Sequence, residues 1–211
     1  MKASEKRRIV NPHKTFRTLL ISGETMRKLI CVVITMLVCG AAIYAQQSAG
    51  VGFADKPAIL TSVGQSADME MVRVLMTRSR LPFKADALIK ANGLSSSDKT
   101  LVLVIGGSSK GLGAAGISVE DEMKRSQDLV KRARDLGMKI IAVHVGGEPR
   151  RGTLSDGFIR FAVPASDYAI VVSDSDKDGL FTGLTRDARL PFKKVDKISE
   201  VGAPLAAAFK D

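Results

Sequence analysis

Residues Leu101–Ser118, LVLVIGGSSKGLGAAGIS, set the architecture of this chain. Leu101–Ile105 is an unbroken run of Leu, Val and Ile, the pattern of a strand covered on both faces of a sheet. The run passes into GGSSKGLG, and a charged helical pattern opens at Ser118. A buried strand, a glycine-rich loop and a helix make one repeat of a parallel α/β sheet. Ligands collect where such loops gather, at the carboxyl ends of the strands.

The same grammar recurs on both sides of this stretch. Upstream, Ala58–Val63 reads as a strand, Ser66–Ser79 as a helix with Met69, Val72, Leu75 and Met76 at helical spacing, and Phe83–Ala87 as a weaker strand followed by a short helix or loop at Leu88–Leu94. Downstream, strands are expected at Lys139–Val145, Tyr168–Val172 and from Phe192, with helices over Thr153–Val163, Asp178–Arg189 and Ser199–Phe209. The helix after Ser118 has a capping-box pattern in Ser118 and Asp121. Its expected pairs are Glu120–Lys124 and Asp128–Arg132. Val119, Met123, Val130 and Ala133 are its expected inner stripe, and Gly137 its end. Right-handed crossovers then place every strand-to-helix loop on one edge. The expected fold is a three-layer parallel sheet of about six strands, flavodoxin-like or Rossmann-like, in the order 2-1-3-4-5-6.

A pentapeptide occurs twice, RLPFK at Arg80–Lys84 and again at Arg189–Lys193. Both copies stand where a helix hands over to a strand, so two similar turns account for them. Both face away from the loop edge.

The chain has 211 residues and a net charge of +10. Part of that excess is local: residues 1–45 hold eight Lys/Arg and two acids, leaving 24 bases against 20 acids in the rest. A domain so mildly basic makes no case for nucleic acid, which needs a basic face. Both cysteines, Cys31 and Cys39, precede the domain, so the sequence after residue 45 is cysteine-free.

Residues 26–45, MRKLICVVITMLVCGAAIYA, have the three zones of a secretory signal. They read as a cleaved signal peptide ending at Ala45. The competing reading is an uncleaved anchor, which would touch the membrane through residues 29–45, a run at the short limit of a span. Residues 1–25 are polar, basic and aperiodic. They read as lying upstream of a true start at Met26, the alternative being a long cytoplasmic lead. Residues 46–56 form a linker and 57–211 the α/β domain, expected to be exported to the periplasm or beyond.

Four loops carry the candidate chemistry. In the first, Gly107, Gly111 and Gly113 fit G-x3-G-x-G and resemble the cofactor loop of short-chain dehydrogenases, with Ser108, Ser109 and Lys110 between them. Such glycines let backbone N–H groups approach an anion. The loop follows the third strand instead of the first, and no Tyr-x3-Lys pair exists, so a dinucleotide is disfavoured and no cofactor is named. The second loop, VHVGGEPRRG at 143–152, offers His144 at a strand end, Gly146 and Gly147 for close approach, and Arg150 and Arg151, whose planar forks suit carboxylates and phosphates. The third, SVGQSAD at 62–68, offers Ser62, Gln65, Ser66 and Asp68. His144 with Ser62 or Asp68 would be the pairing for acid/base chemistry in a hydrolase or transferase, but Ser62 lies in no nucleophile elbow. The fourth, DSDKDG at 174–179, opens like a calcium loop with Asp174, Asp176 and Asp178. Thr185 stands where the bidentate acid belongs, so a solvated turn is the competing reading.

Several segments together resemble one family of small bacterial and archaeal α/β proteins, known as a domain of unknown function. They are Leu60–Asp68, Leu101–Ser118, His144–Gly152 with Ser155–Ile159, Lys177–Thr182 and Val195–Ser199. The chain departs from the family at Pro149, where alanine is commoner. The resemblance implies the architecture and the domain limits and carries over no catalytic residue. The leading expectation is a non-catalytic domain holding a small anionic ligand at the strand-end crevice, with charge from Lys110, Arg150 and Arg151. The alternatives are the His144 enzyme and an envelope interaction module without a small ligand.

Overall fold

The computed structural model describes residues Val51–Asp211. The expected lead, signal segment and first part of the linker lie outside the described residues. Six strands form one all-parallel sheet: β1 (Ala58–Val63), β2 (Phe83–Ala85), β3 (Thr100–Ile105), β4 (Lys139–His144), β5 (Tyr168–Val172) and β6 (Phe192–Val195). Their order is β2-β1-β3-β4-β5-β6, as the alternation of strand and helix patterns predicts.

The helices are α1 (Asp68–Arg78), α2 (Ser109–Ala115), α3 (Val119–Asp135), α4 (Thr153–Ala162), α5 (Leu180–Asp187) and α6 (Gly202–Ala207). Right-handed crossovers decide their faces. The step from β1 back to β2 puts α1 on one face, where Met69, Val72, Leu75 and Met76 meet Leu60, Val104, Val143 and Ile170, joined by Val201 and Leu205 from the α6 end. The steps from β3 onward run the other way, so α3, α4 and α5 cover the second face. There Leu129, Ala133, Phe158, Ile159 and Phe181 pack on Leu103, Ile105, Ile140, Ala142 and Val171.

Three local expectations change. The glycine loop is not open coil: Ser109–Ala115 is a helix, capped by the Ser108 hydroxyl on the Gly111 N–H at 3.0 Å and stopped by Gly116 in the left-handed conformation, φ 67°. The inner stripe of α3 is Glu122, Ser126, Leu129, Val130 and Ala133, while Val119 is 39% exposed. The outer pairs of α3 are Lys124–Asp128 and Lys131–Asp135, each 2.8 Å, because Lys124 takes the acid one turn ahead of it and not Glu120 behind it. The Ser118–Asp121 capping box is present.

The repeated RLPFK has a shared geometry. Arg80 and Arg189 both adopt left-handed backbone, φ 54° and 52°. The next N–H reaches back five residues, Leu81 to Met76 and Leu190 to Thr185, the closure that ends a helix in the Schellman manner. Pro82 and Pro191 then accept from Ala58 and Ala169 with their carbonyls, and Phe83 and Phe192 begin β2 and β6. Those are the two edge strands, the positions where a proline costs no ladder bond.

At the opposite, amino edge the two ends of the domain are tied together. The N–H groups of Gly52, Phe53 and Ala54 donate to the carbonyls of Ala207 and Ala208, and Lys210 returns a bond to Ala54. Phe53 stands edge-on to Tyr168, ring centroids 5.9 Å apart.

Candidate functional site

β1 and β3 are neighbours whose following loops leave to opposite faces, so the crevice expected to take a ligand opens between them. In this protein it is closed from within. Gly106 N donates to Val63 O at 2.9 Å and Ser108 N to Gly64 O at 2.8 Å, while Gln65 and Gly107 form an isolated bridge. The glycines admit protein atoms. A Cβ on Gly111 would overlap the Gln65 carbonyl, one on Gly107 would lie 2.6 Å from Leu154, and one on Gly146 would overlap Arg150. The Gly107 N–H is taken by Ser155 Oγ at 2.9 Å. Ser109 and Lys110 remain exposed beyond this seal.

What holds the seal is a residue pair that carries no motif. Glu122, fully buried on α3, accepts at Oε1 from Gly64 N at 2.9 Å and Gln65 Nε2 at 3.0 Å. Arg125 forks onto the same carboxylate through Nε and Nη2, at 2.7 and 2.8 Å. It also donates to Ser62 O at 2.6 Å and Ile89 O at 2.8 Å. The two side chains are 0% and 8% exposed. A buried charge pair is tolerated when further hydrogen bonds satisfy it, and here the surrounding loops supply them. The available signal was the phase of α3: counting back from Ala133 and Leu129 by helical steps lands on Ser126 and Glu122.

His144 ends β4 fully buried, its Nδ1 2.7 Å from Ile105 O and its ring tilted on Phe181 with centroids 5.1 Å apart. Its Nε2 is buried without a partner. Ser62 cannot reach it. Ser62 is in register with Val104, and Val104 with Val143, so Ser62 lies two strands from His144, about 10 Å at ~4.8 Å per strand. The two side chains also point to opposite faces, because His144 follows Val143 by one residue. Asp68, buried at the start of α1, lies over Gly106 and Gly146 with Oδ1 3.5 Å from Arg150 Nε, and its Oδ2 is unpartnered. The structure therefore separates Ser62 from His144, while Asp68 is near enough for its charge to act on the imidazole.

Burial lowers the pKa of His144 below the ordinary 6.5, against the smaller opposing pull of the Ile105 carbonyl and Asp68. The unfolded chain then binds this proton more readily than the folded one. Stability contributed here is intact above the unfolded value and is lost as pH falls from about 6.5 toward the lowered folded value, by up to about 1.4 kcal/mol per pH unit. A proton NMR titration should find the His144 imidazole titrating below 6.5; a midpoint at or above that value contradicts the assignment.

The second loop divides its two arginines. Arg151 is bidentate to Asp156, at 2.7 and 3.0 Å, and to Asp178, at 3.0 and 2.8 Å. It also donates to the Ser175 carbonyl and lies 5.7 Å above the Phe181 ring. These bonds raise its pKa and leave its fork fully engaged inside the protein. Arg150 keeps its outer face in solvent and meets Asp68 alone. Gly147 is buried with φ 66°, and Asp174 accepts from the Glu148 N–H beside it.

The aspartates of the fourth loop point to separate partners. Asp174 binds Lys177 at 2.6 Å, Asp178 binds Arg151, and Asp176 binds Lys194 at 2.7 Å while capping α5 through the Phe181 and Thr182 N–H groups. Burial opposes the charge on Asp176, but Lys194 and Thr182 outweigh it and hold its pKa below the ordinary value. Among the described residues no group of three or more His, Cys, Asp or Glu side chains could hold a metal ion.

The open concavity lies beside the sealed crevice, still on the carboxyl edge. The connection from β2 to β3 must cross the face of α3, yet it contains one short 3-10 turn, Ala91–Gly93, in place of a helix. The space left against α3 is a groove of about 700 Å³ lined by Leu88, Lys90, Ala91, Asn92, Ala115 and Ile117, with Asp121, Lys124, Arg125 and Asp128 on the helix side. Small-molecule sites commonly occupy about 300–1,000 Å³. A smaller hollow of about 270 Å³ near Glu148 and Asp174 is lined by the charged pairs described above.

No curated protein and no solved structure matches the chain. The model of one family, a domain of unknown function named DUF6305, matches residues 55–209, which takes in the whole sheet and all six helices. The chain therefore belongs to the DUF6305 family, and its domain is a six-stranded, all-parallel α/β fold.

Proposed function

We propose that this is a non-catalytic binding domain that holds a small anionic ligand at the carboxyl edge of its sheet, and that residues 26–45 direct it out of the cytoplasm. The observation that carries the binding reading is the groove between the β2–β3 connection and α3. It lies at the sheet edge where α/β folds take ligands. Arg125, held by the buried Glu122, is part of its lining. The separation of Ser62 from His144 favours binding over serine-based hydrolysis. Export rests on the three-zone pattern of residues 26–45 and the cysteine-free sequence beyond it.

Native mass spectrometry of the protein from expressing cells tests both parts. The expected spectrum shows a chain beginning after Ala45 with a small molecule bound, and Leu88→Asp, a change at a 39% exposed groove position, arrives without it. A ligand-free wild type that no member of an anion panel stabilises against heat overturns the binding reading. A chain that keeps its residues before Ala45 overturns cleavage.

A further inference from the structure

We propose that the groove takes an amphipathic monoanion, with an apolar body against its wall and one negative group on Lys90. This rests on the binding reading above and adds the ligand class. The wall supplies apolar surface from Leu88, Ala91, Ala115 and Ile117, with Leu88 39% exposed. An exposed leucine facing a concavity is stabilised only when something apolar covers it.

The charges around the groove set the headgroup. Arg125 is consumed by Glu122 and two carbonyls. Lys124 is paired with Asp128 at 2.8 Å. Asp121 accepts from the Ser118 N–H and hydroxyl at the amino end of α3, and those bonds lower its pKa. A carboxylate so placed is already compensated by the helix terminus. Lys90 remains: it is exposed, and its ammonium has no hydrogen-bond or ion-pair partner among the described residues. One uncompensated ammonium beside an apolar wall selects one negative group on an apolar body. A polyanion would find a single free ammonium for its several charges, and a cation would meet Lys90.

Calorimetric titration of the purified protein with decanoate, decanol and decyltrimethylammonium, each below its micelle concentration, separates the possibilities. Decanoate should bind at least about tenfold more tightly than decanol, with the cation weakest. Lys90→Gln should bring decanoate and decanol level, and Leu88→Asp should abolish both, with unchanged melting temperatures showing that each variant keeps the fold. Equal binding of decanoate and decanol, unaffected by Lys90→Gln but lost in Leu88→Asp, overturns the ligand class and leaves the groove standing. Decanoate binding that survives Leu88→Asp and disappears in Arg150→Ala overturns the groove as well. If no amphiphile binds while native spectra still show a ligand, the class falls and the binding reading stands.

Discussion

Replacing Arg125 by methionine is expected to destabilise the domain by about 3–5 kcal/mol, the cost of stranding one member of a buried ion pair. Arg125 makes four hydrogen bonds, two to Glu122 and one each to Ser62 O and Ile89 O. Its removal leaves the Glu122 carboxylate fully buried with only Gly64 N and Gln65 Nε2 to compensate its charge. It also releases two carbonyls that join β1 and the β2–β3 connection to α3. The double variant Glu122→Gln with Arg125→Met discharges the site while keeping an amide oxygen for Gly64 N. It should regain about 1 kcal/mol or more of the loss, since an unpaired polar group costs less than an unpaired charge. Urea denaturation of the two variants and the wild type measures this. A loss below about 1 kcal/mol for Arg125→Met, or no recovery in the double variant, would show that the stranded charge is not the cause.

Gly111→Ala is expected to cost about 3 kcal/mol or more, beyond the usual ~1–3 kcal/mol of an overfilled core. The added methyl would overlap the carbonyl oxygen of Gln65. That carbonyl cannot swing aside cheaply: Gln65 already holds left-handed backbone, φ 58°, and is fixed by its bridge to Gly107 and by Glu122. The internal control is Gly113→Ala, two residues along the same helix, where a methyl meets open space. There alanine should stabilise by about 0.5–1 kcal/mol through helix propensity. Opposite signs for two Gly→Ala changes in one seven-residue helix are the expected result. Equal effects would mean that the seal between the β1 and β3 loops is open in solution.

Strand positions were legible because each interior strand is covered on both faces, which leaves continuous apolar runs such as Leu101–Ile105 and Tyr168–Val172. Strand order followed from handedness. Helices were harder to place where composition misleads. Gly111 and Gly113 hid α2, whose existence depends on the Ser108 cap and the Gly116 stop and not on propensity. The candidate site was half legible. Its edge followed from topology, but glycines that look like a ligand cradle are equally what two protein loops need to touch, and only packing separates the two. The groove left no motif at all, since it results from a helix that the β2–β3 connection lacks. Glu122 and Arg125 look like ordinary surface charges in the sequence. Their bonds to Ile89, Gly64 and Ser62 span 36, 58 and 63 residues and end on backbone atoms, which a local pattern does not report.

The bonds between Gly52–Ala54 and Ala207–Lys210 bring the domain's two ends to one place, across the sheet from the groove. A short linker could join them without crossing the groove, so a circular permutant reopened at the exposed Gly137 should keep the fold. For the same reason a tether, label or sensor surface attached at either end holds the domain with its groove pointing outward. Fusion partners added there would leave the groove open.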